Sequence, residues 1–227
     1  MNDKDLRLMA YLKESIGEPA KPGPILLDVK STQFVRINLL LLKALSPENG
    51  MPGIFIAIDR PHQYMVHLLT MHQINSTGLV FLDAISRFSA DTKTASAKVG
   101  FVHGPSHVDE LPNAIREWST NANGNSLDMQ SLRFAMIDNL AALLTYNSYS
   151  SVELFLRNFV GVLSTTKLVI PFVVDKERNC VLYEMVRSLC ENEISVNENA
   201  IAGMGGQMPP QRPQMPQQRP NQITQFR

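Results

Sequence analysis

Ile25-Leu26-Leu27-Asp28-Val29 is followed at once by Lys30-Ser31-Thr32-Gln33-Phe34, with no glycine between this apolar run and the apolar series at Phe34, Ile37, Leu41, Leu42 and Leu45. The run is short and apolar at alternate and intervening positions alike, which predicts a strand buried on both faces. The series behind it recurs at helical spacing, with Asn38 on the same stripe and Leu39 and Leu40 widening it, and predicts a helix packed on a sheet. Ser46-Pro47-Glu48-Asn49-Gly50 ends that helix.

The same unit repeats along the chain. Gly53-Ile54-Phe55-Ile56-Ala57-Ile58 predicts a second buried strand, and Met65, Leu68, Leu69 and His72 mark the helix face after Pro61. Leu79 to Asp83, Val99 to Val102, Leu132 to Asp138 and Leu168 to Val174 predict further strands. Helices follow with Val108, Leu111, Ile115 and Trp118, then Val152, Phe155, Leu156, Phe159, Val160 and Leu163, and last Leu182, Met185, Val186 and Leu189 facing inward. Pro112 places the start of the first of these near Asp109, since proline fits only the first turn. Strand-helix alternation of this regularity implies an α/β fold with a mainly parallel central sheet covered on both faces.

The 227 residues divide into an N-terminal segment and linker over 1–22, one domain over 23–200, and a tail over 201–227 rich in Pro, Gln and Met. The tail buries too little to offset its ordering entropy, which predicts disorder; it is either a passive extension or a proline-rich partner-binding stretch. Formal net charge is zero, but from Gly203 onward there are three arginines and no acid, so the rest is slightly acidic. No basic and aromatic face for nucleic acid is present. The N-terminus lacks the continuous apolar core of a signal peptide, and the run Ile37 to Leu45 is too short to span a bilayer, so a cytoplasmic protein without a membrane span is expected. Cys180 and Cys190 on one helix would stand about 15 Å apart along its axis, which predicts reduced, buried thiols.

Taken in order and spacing, these strands resemble the RecA/KaiC-like ATPase superfamily over roughly Gly23 to Val196, and most of all archaeal KaiC-like domains that lack a standard P-loop. Gly53 to Pro61 resembles the second strand of that family, Phe134-Ala135-Met136-Ile137-Asp138 its Walker B strand, and Lys167 to Val174 the strand after it. The resemblance implies a three-layer αβα RecA-like fold. It also places Lys30, Ser31, Thr32, Asp59 and Asp138 as candidate nucleotide-binding remnants, with Asp138 in the position that holds Mg²⁺ through water when Mg-ATP binds.

Three departures bear on activity. The glycines of G-x-x-x-x-G-K-[ST], which let backbone N–H groups wrap a phosphate, are missing, and Lys30-Ser31-Thr32 sits directly after the strand. A strand-to-helix turn with Ser31 or Thr32 as cap is the plainer reading of those three residues. In place of an acidic pair after the second strand stands Asp59-Arg60, where the guanidinium competes for the carboxylate that would act as base. Pro171 falls in a strand that the RecA-like order puts near the sheet centre, which calls for a bulge or a different order. Asp138 can equally be a cap for the segment after it.

His62, His67 and His72 are spaced by five and point apart on a helix, so they cannot share a metal. His103 and His107 flank Gly104-Pro105 at the edge where ligands bind in open α/β folds. Trp118 and Tyr64 fit core positions. There is no G-x-S-x-G, Cys-x-x-Cys or H-E-x-x-H motif. These residues point to a catalytically inactive RecA/KaiC-like domain, regulatory or scaffolding, that acts by contact with a protein partner or by self-association and needs no cofactor. The alternative is a nucleotide-binding switch or weak ATPase with an unconventional phosphate site, since a helix N-terminus alone still attracts anions.

Overall fold

The computed structural model describes residues 2–17, 21–45, 52–86, 98–120, 131–164 and 166–196. The strands are β1 (Gly23–Asp28), β2 (Gly53–Ala57), β3 (Leu79–Asp83), β4 (Val99–Phe101), β5 (Phe134–Ile137), β6 (Val169–Val174) and β7 (Asn192–Ser195). They form one sheet in the order β4-β3-β2-β5-β6-β1-β7, and every pairing is parallel. The helices are α1 (Asp3–Ile16), α2 (Phe34–Leu45), α3 (His62–Met71), α4 (Glu110–Thr120), α5 (Leu143–Tyr146), α6 (Tyr149–Leu163) and α7 (Cys180–Arg187). This is the three-layer α/β architecture that the alternating pattern implies.

Successive strand residues point to opposite faces, and two separate cores follow from that. Leu26, Ile54, Ile56, Leu82, Ala135, Ile137, Ile170 and Phe172 join α4, α5, α6 and α7. Ile25, Leu27, Phe55, Phe81, Phe134, Met136 and Val173 join α1, α2 and α3. α1 belongs to the second core through Leu8, Leu12 and Ile16, one stripe at i, i+4 and i+8. A reciprocal cap starts it: the Asn2 side chain accepts the Asp5 N–H, and the Asp5 carboxylate accepts the Asn2 N–H. Arg36 of α2 then donates to Asp5 at 2.8 Å and ties the two helices together.

Pro171 lies inside the sheet, between β5 and β1, and no bulge accommodates it on the β1 side, where the register runs unbroken from Gly23↔Val169 to Asp28↔Val174. The carbonyls of Leu168 and Val174 accept N–H groups of β1 and its extension, so the even-numbered peptide groups of β6 face β1. The odd-numbered ones therefore face β5, as the 2.9 Å bond from the Val169 N–H to the Arg133 carbonyl confirms. Pro171 is the next odd position and has no N–H to give. Phe134 with Val169 is the one bridged pair between β5 and β6 among the described residues, so the ladder stops there rather than bulging.

Four other expectations need correction. β7 was not foreseen; of its residues only Ile194 is buried, because it is an edge strand. Cys190 lies beyond the end of α7, so the two cysteines do not share a helix, and Cys180 is exposed rather than buried. His72 caps α3 and is exposed, leaving Met65 and Leu69 as the buried face. The Trp118 side chain, the loops at 46–50, 87–97 and 121–126, and the tail over 201–227 lie outside the described residues. Among those residues no helix is long and apolar enough to cross a membrane.

Candidate functional site

All the parallel strands end on one edge, and there the chain from β1 to α2 turns through a short 3-10 segment, Ser31–Gln33, with Lys30 extended before it. This turn is closed by the protein's own carboxylates. The Ser31 N–H donates to Asp175 at 2.7 Å, at the end of β6, and the Lys176 N–H donates back to Asp28 at 3.2 Å, at the end of β1. Burial alone would raise the Asp175 carboxyl, but the N–H groups of Ser31 and Arg178 outweigh it and hold the group below the usual carboxylate range. An anion seat at a helix start is thus filled from within.

Between the starts of α2 and α3 and the ends of β2 and β5 lies a cleft of about 90 Å³, lined among others by Ser31, Phe34, Asn38, Asp59, Tyr64, Asp138 and Asn139. It brings together three of the expected site residues, Ser31, Asp59 and Asp138. Lys30 and Thr32 are exposed and do not line it. Tyr64, expected in the core, stands 40% exposed at the mouth with the Arg60 guanidinium 4.8 Å above its ring.

Asp138 is buried, and its carboxylate accepts N–H groups of Ile58 at 2.9 Å, Asp59 at 3.2 Å and Asn139 at 2.7 Å. Burial pushes it up from 3.8 to about 7; the three N–H groups pull the other way, and the nearby Asp59 charge adds to the rise. Its backbone carbonyl accepts the Asn38 side-chain amide at 2.6 Å. Only one of these N–H groups, that of Asn139, belongs to the segment after Asp138; the other two lie at the end of β2, so the side chain splices the end of β5 to the end of β2. Asp59 accepts the Asn139 amide at 3.2 Å and lies 3.8 Å from Arg60. The amide oxygens of Asn38 and Asn139 are buried without a partner. The cleft thus has a surplus of acceptors.

A second constellation escaped the sequence reading. Asp83, wholly buried at the end of β3, accepts the His62 backbone N–H at 2.8 Å, contacts His62 Nδ1 at 2.5 Å, and accepts both the N–H (2.8 Å) and the hydroxyl (2.6 Å) of Ser86. Burial opposes its ionisation, yet these donors hold it below the usual range. The Ser86 hydroxyl donates to Asp83 and not to His62, so the three do not form a nucleophile relay. The His62 ring is packed by Phe81 and Phe101 at 5.8 and 5.9 Å. His103 and His107 are exposed and pair locally with Glu110, at 2.8 and 3.9 Å, away from the cleft. Among the described residues no group of three or more His, Cys, Asp or Glu side chains is placed to hold a metal ion.

No protein-family model and no curated protein matches this sequence. Among solved structures the chain is similar to an uncharacterized protein of Pyrococcus horikoshii in complex with an unknown peptide, with a TM-score of 0.58 and 12% identity over 83% of this chain and 82% of that one. It is also similar to the flagellar accessory protein FlaH of Methanocaldococcus jannaschii, with a TM-score of 0.49 and 13% identity over 82% and 76%. The strand order, the single parallel edge and the first of these likenesses agree: the chain has the RecA/KaiC-like fold.

Proposed function

We propose that this chain is a RecA/KaiC-like domain that has given up nucleotide chemistry and acts by protein contact, as a regulatory or scaffolding subunit. The observation that carries it is the 2.7 Å bond from the Ser31 N–H to Asp175. That N–H belongs to the turn a phosphate loop would occupy, and a carboxylate of the same chain takes the place of the anion. The cleft supports the same reading by size: about 90 Å³ is well below the roughly 300–1,000 Å³ of small-molecule pockets. It suits one side-chain head group. The Pyrococcus horikoshii protein of this fold was solved with an unknown peptide, which is in keeping with a contact role.

The second reading, a nucleotide switch using Ser31, Asp59 and Asp138 with Mg-ATP, is favoured by the opening that remains between Ser31 and Asp138. Calorimetric titration of the full chain with Mg-ATP, repeated on Asp138→Ala, separates the two. No heat with either protein is expected. Binding that the substitution weakens would overturn the contact reading, as would strictly monomeric behaviour in sedimentation together with no partner in a pull-down.

A further inference from the structure

Two buried acceptors of the cleft lack donors. Asn38 is 2% exposed, and its amide oxygen has no partner; the same holds for the amide oxygen of Asn139, while Asp59 keeps its carboxylate part-exposed beside them. Arg60 is already at the mouth, stacked on Tyr64, and the two amide oxygens remain unpartnered in its presence. A group that satisfies them must bring several N–H donors on a small planar head and tolerate aromatic walls. A guanidinium does both: it carries five N–H donors and stacks on aromatic faces.

The chain itself carries such groups in its C-terminal segment. The Val196 N–H donates to the Asp28 carbonyl at 3.0 Å, so the polypeptide leaves the described part at the end of β1, on the same edge as the cleft. β6 and β5 separate β1 from β2, so the lateral distance is three strand spacings, about 14 Å. Arg212 follows Val196 by sixteen residues, and any chain of that length reaches roughly 20–24 Å as a random coil and at most about 55 Å when extended. From Gly203 onward the sequence has Arg212, Arg219 and Arg227 and no acid, which leaves eighteen basic against twenty-one acidic side chains in the rest of the chain. Pro209, Pro210, Pro213 and Pro216 surround Arg212 and reduce the backbone entropy that docking would cost.

We infer that the cleft between Asn38, Asp59 and Asn139 is the seat for an arginine of this chain's own C-terminal segment, residues 203–227, held in cis. The inference rests on the contact reading of the same cleft. A tether of this length gives an effective concentration in the millimolar range, so a weak intrinsic contact suffices to keep the seat occupied until a partner with a better-placed arginine displaces it.

Hydrogen exchange followed by mass spectrometry on the full chain tests it. Replacing the three tail arginines together, Arg212→Gln, Arg219→Gln and Arg227→Gln, is expected to speed exchange several-fold at residues 58–60 and 138–140. A synthetic peptide of residues 203–227 added to that variant is expected to restore protection, and the same peptide without arginines to leave it unchanged. Equal exchange in the wild type and the triple variant overturns the inference. Protection in the wild type that is lost on hundredfold dilution overturns the cis assignment in favour of a second copy. Slowed exchange of the triple variant with Mg-ATP overturns the contact reading instead, so the two failures are distinguishable.

Discussion

Replacing Asp138 with asparagine tests how the buried edge is charged. Burial raises the Asp138 carboxyl from 3.8 to about 7 in the folded protein, a difference worth about 4 kcal/mol. Because the folded value lies above the unfolded one, the native state holds the proton through this window. The contribution of Asp138 to stability is therefore fully present below about pH 4 and falls by about 1.4 kcal/mol per pH unit until about pH 7, after which it is flat. Asparagine retains an oxygen for the N–H groups of Ile58 and Asn139 and bears no charge. Its NH₂ faces the Asp59 N–H, which donates to Asp138 at 3.2 Å, at a cost of about 1 kcal/mol. Above neutral pH the variant should then be the more stable by about 3 kcal/mol, with the difference shrinking or reversing near pH 4.5. Urea unfolding of both proteins across that range measures it. Asp5, Asp83, Asp175 and Glu110, all held below the usual carboxylate range, contribute stability that is lost only as pH falls through their lowered values, and they are common to both chains. A wild-type minus variant difference that is flat, or that rises with pH, would refute the reasoning.

Two substitutions in the frame have opposite expected signs. Gly53 is paired with Phe134, and a Cβ at Gly53 would land on the Phe134 ring, which is wholly buried; Gly53→Ala should cost about 2–3 kcal/mol in urea unfolding, and Phe134→Leu in the same chain should recover part of it. If Gly53→Ala is neutral, the packing of β2 on β5 is wrong. Gln73 ends α3 at φ 53°, with the Ile74 N–H reaching the Leu69 carbonyl at 2.8 Å and the Gln73 N–H the Thr70 carbonyl at 3.1 Å. Gln73→Gly removes the left-handed penalty and should raise stability by about 1 kcal/mol, or roughly 2–4 °C in melting temperature. A lower melting temperature would contradict that helix end.

The fold was legible because each inner strand is a continuous apolar run, which only a sheet covered on both faces demands. The residues that escaped are those for which that demand is relaxed. β7 reads Asn-Glu-Ile-Ser because an edge strand buries one residue. Pro171 looked incompatible with an inner strand because sequence does not reveal which neighbour a peptide group faces; turned toward β5, it ends a ladder instead of breaking one. The positions of Asp28, Asp83 and Asp138 at strand ends were legible as well, whereas Asp175 was not singled out. The partners of these carboxylates were not legible, since they lie across the sheet: Asp138 is eighty residues from Ile58, and Asp175 is 144 from Ser31. The His62 to Asp83 pair was missed for the same reason, its spacing of twenty-one being set by a strand pairing and not by a helix.

An aspartate at a strand end of a parallel sheet therefore says little by itself. Every strand stops on the same edge, each leaves N–H groups that the sheet no longer pairs, and a carboxylate is the shortest side chain that collects them. Asp28, Asp83, Asp138 and Asp175 all accept backbone N–H groups of this chain. What separates a structural acid from one available to a ligand is whether its oxygens are already taken. Asp59 is the exception among these strand-end acids: its described hydrogen bond comes from the Asn139 side chain, which itself holds an amide oxygen without a partner. On the proposed contact reading, the part of this edge left for a partner is therefore Asp59 with Asn38 and Asn139. Of these the sequence pattern singled out Asp59, while the two asparagines gain meaning only from the buried oxygens they leave unpaired.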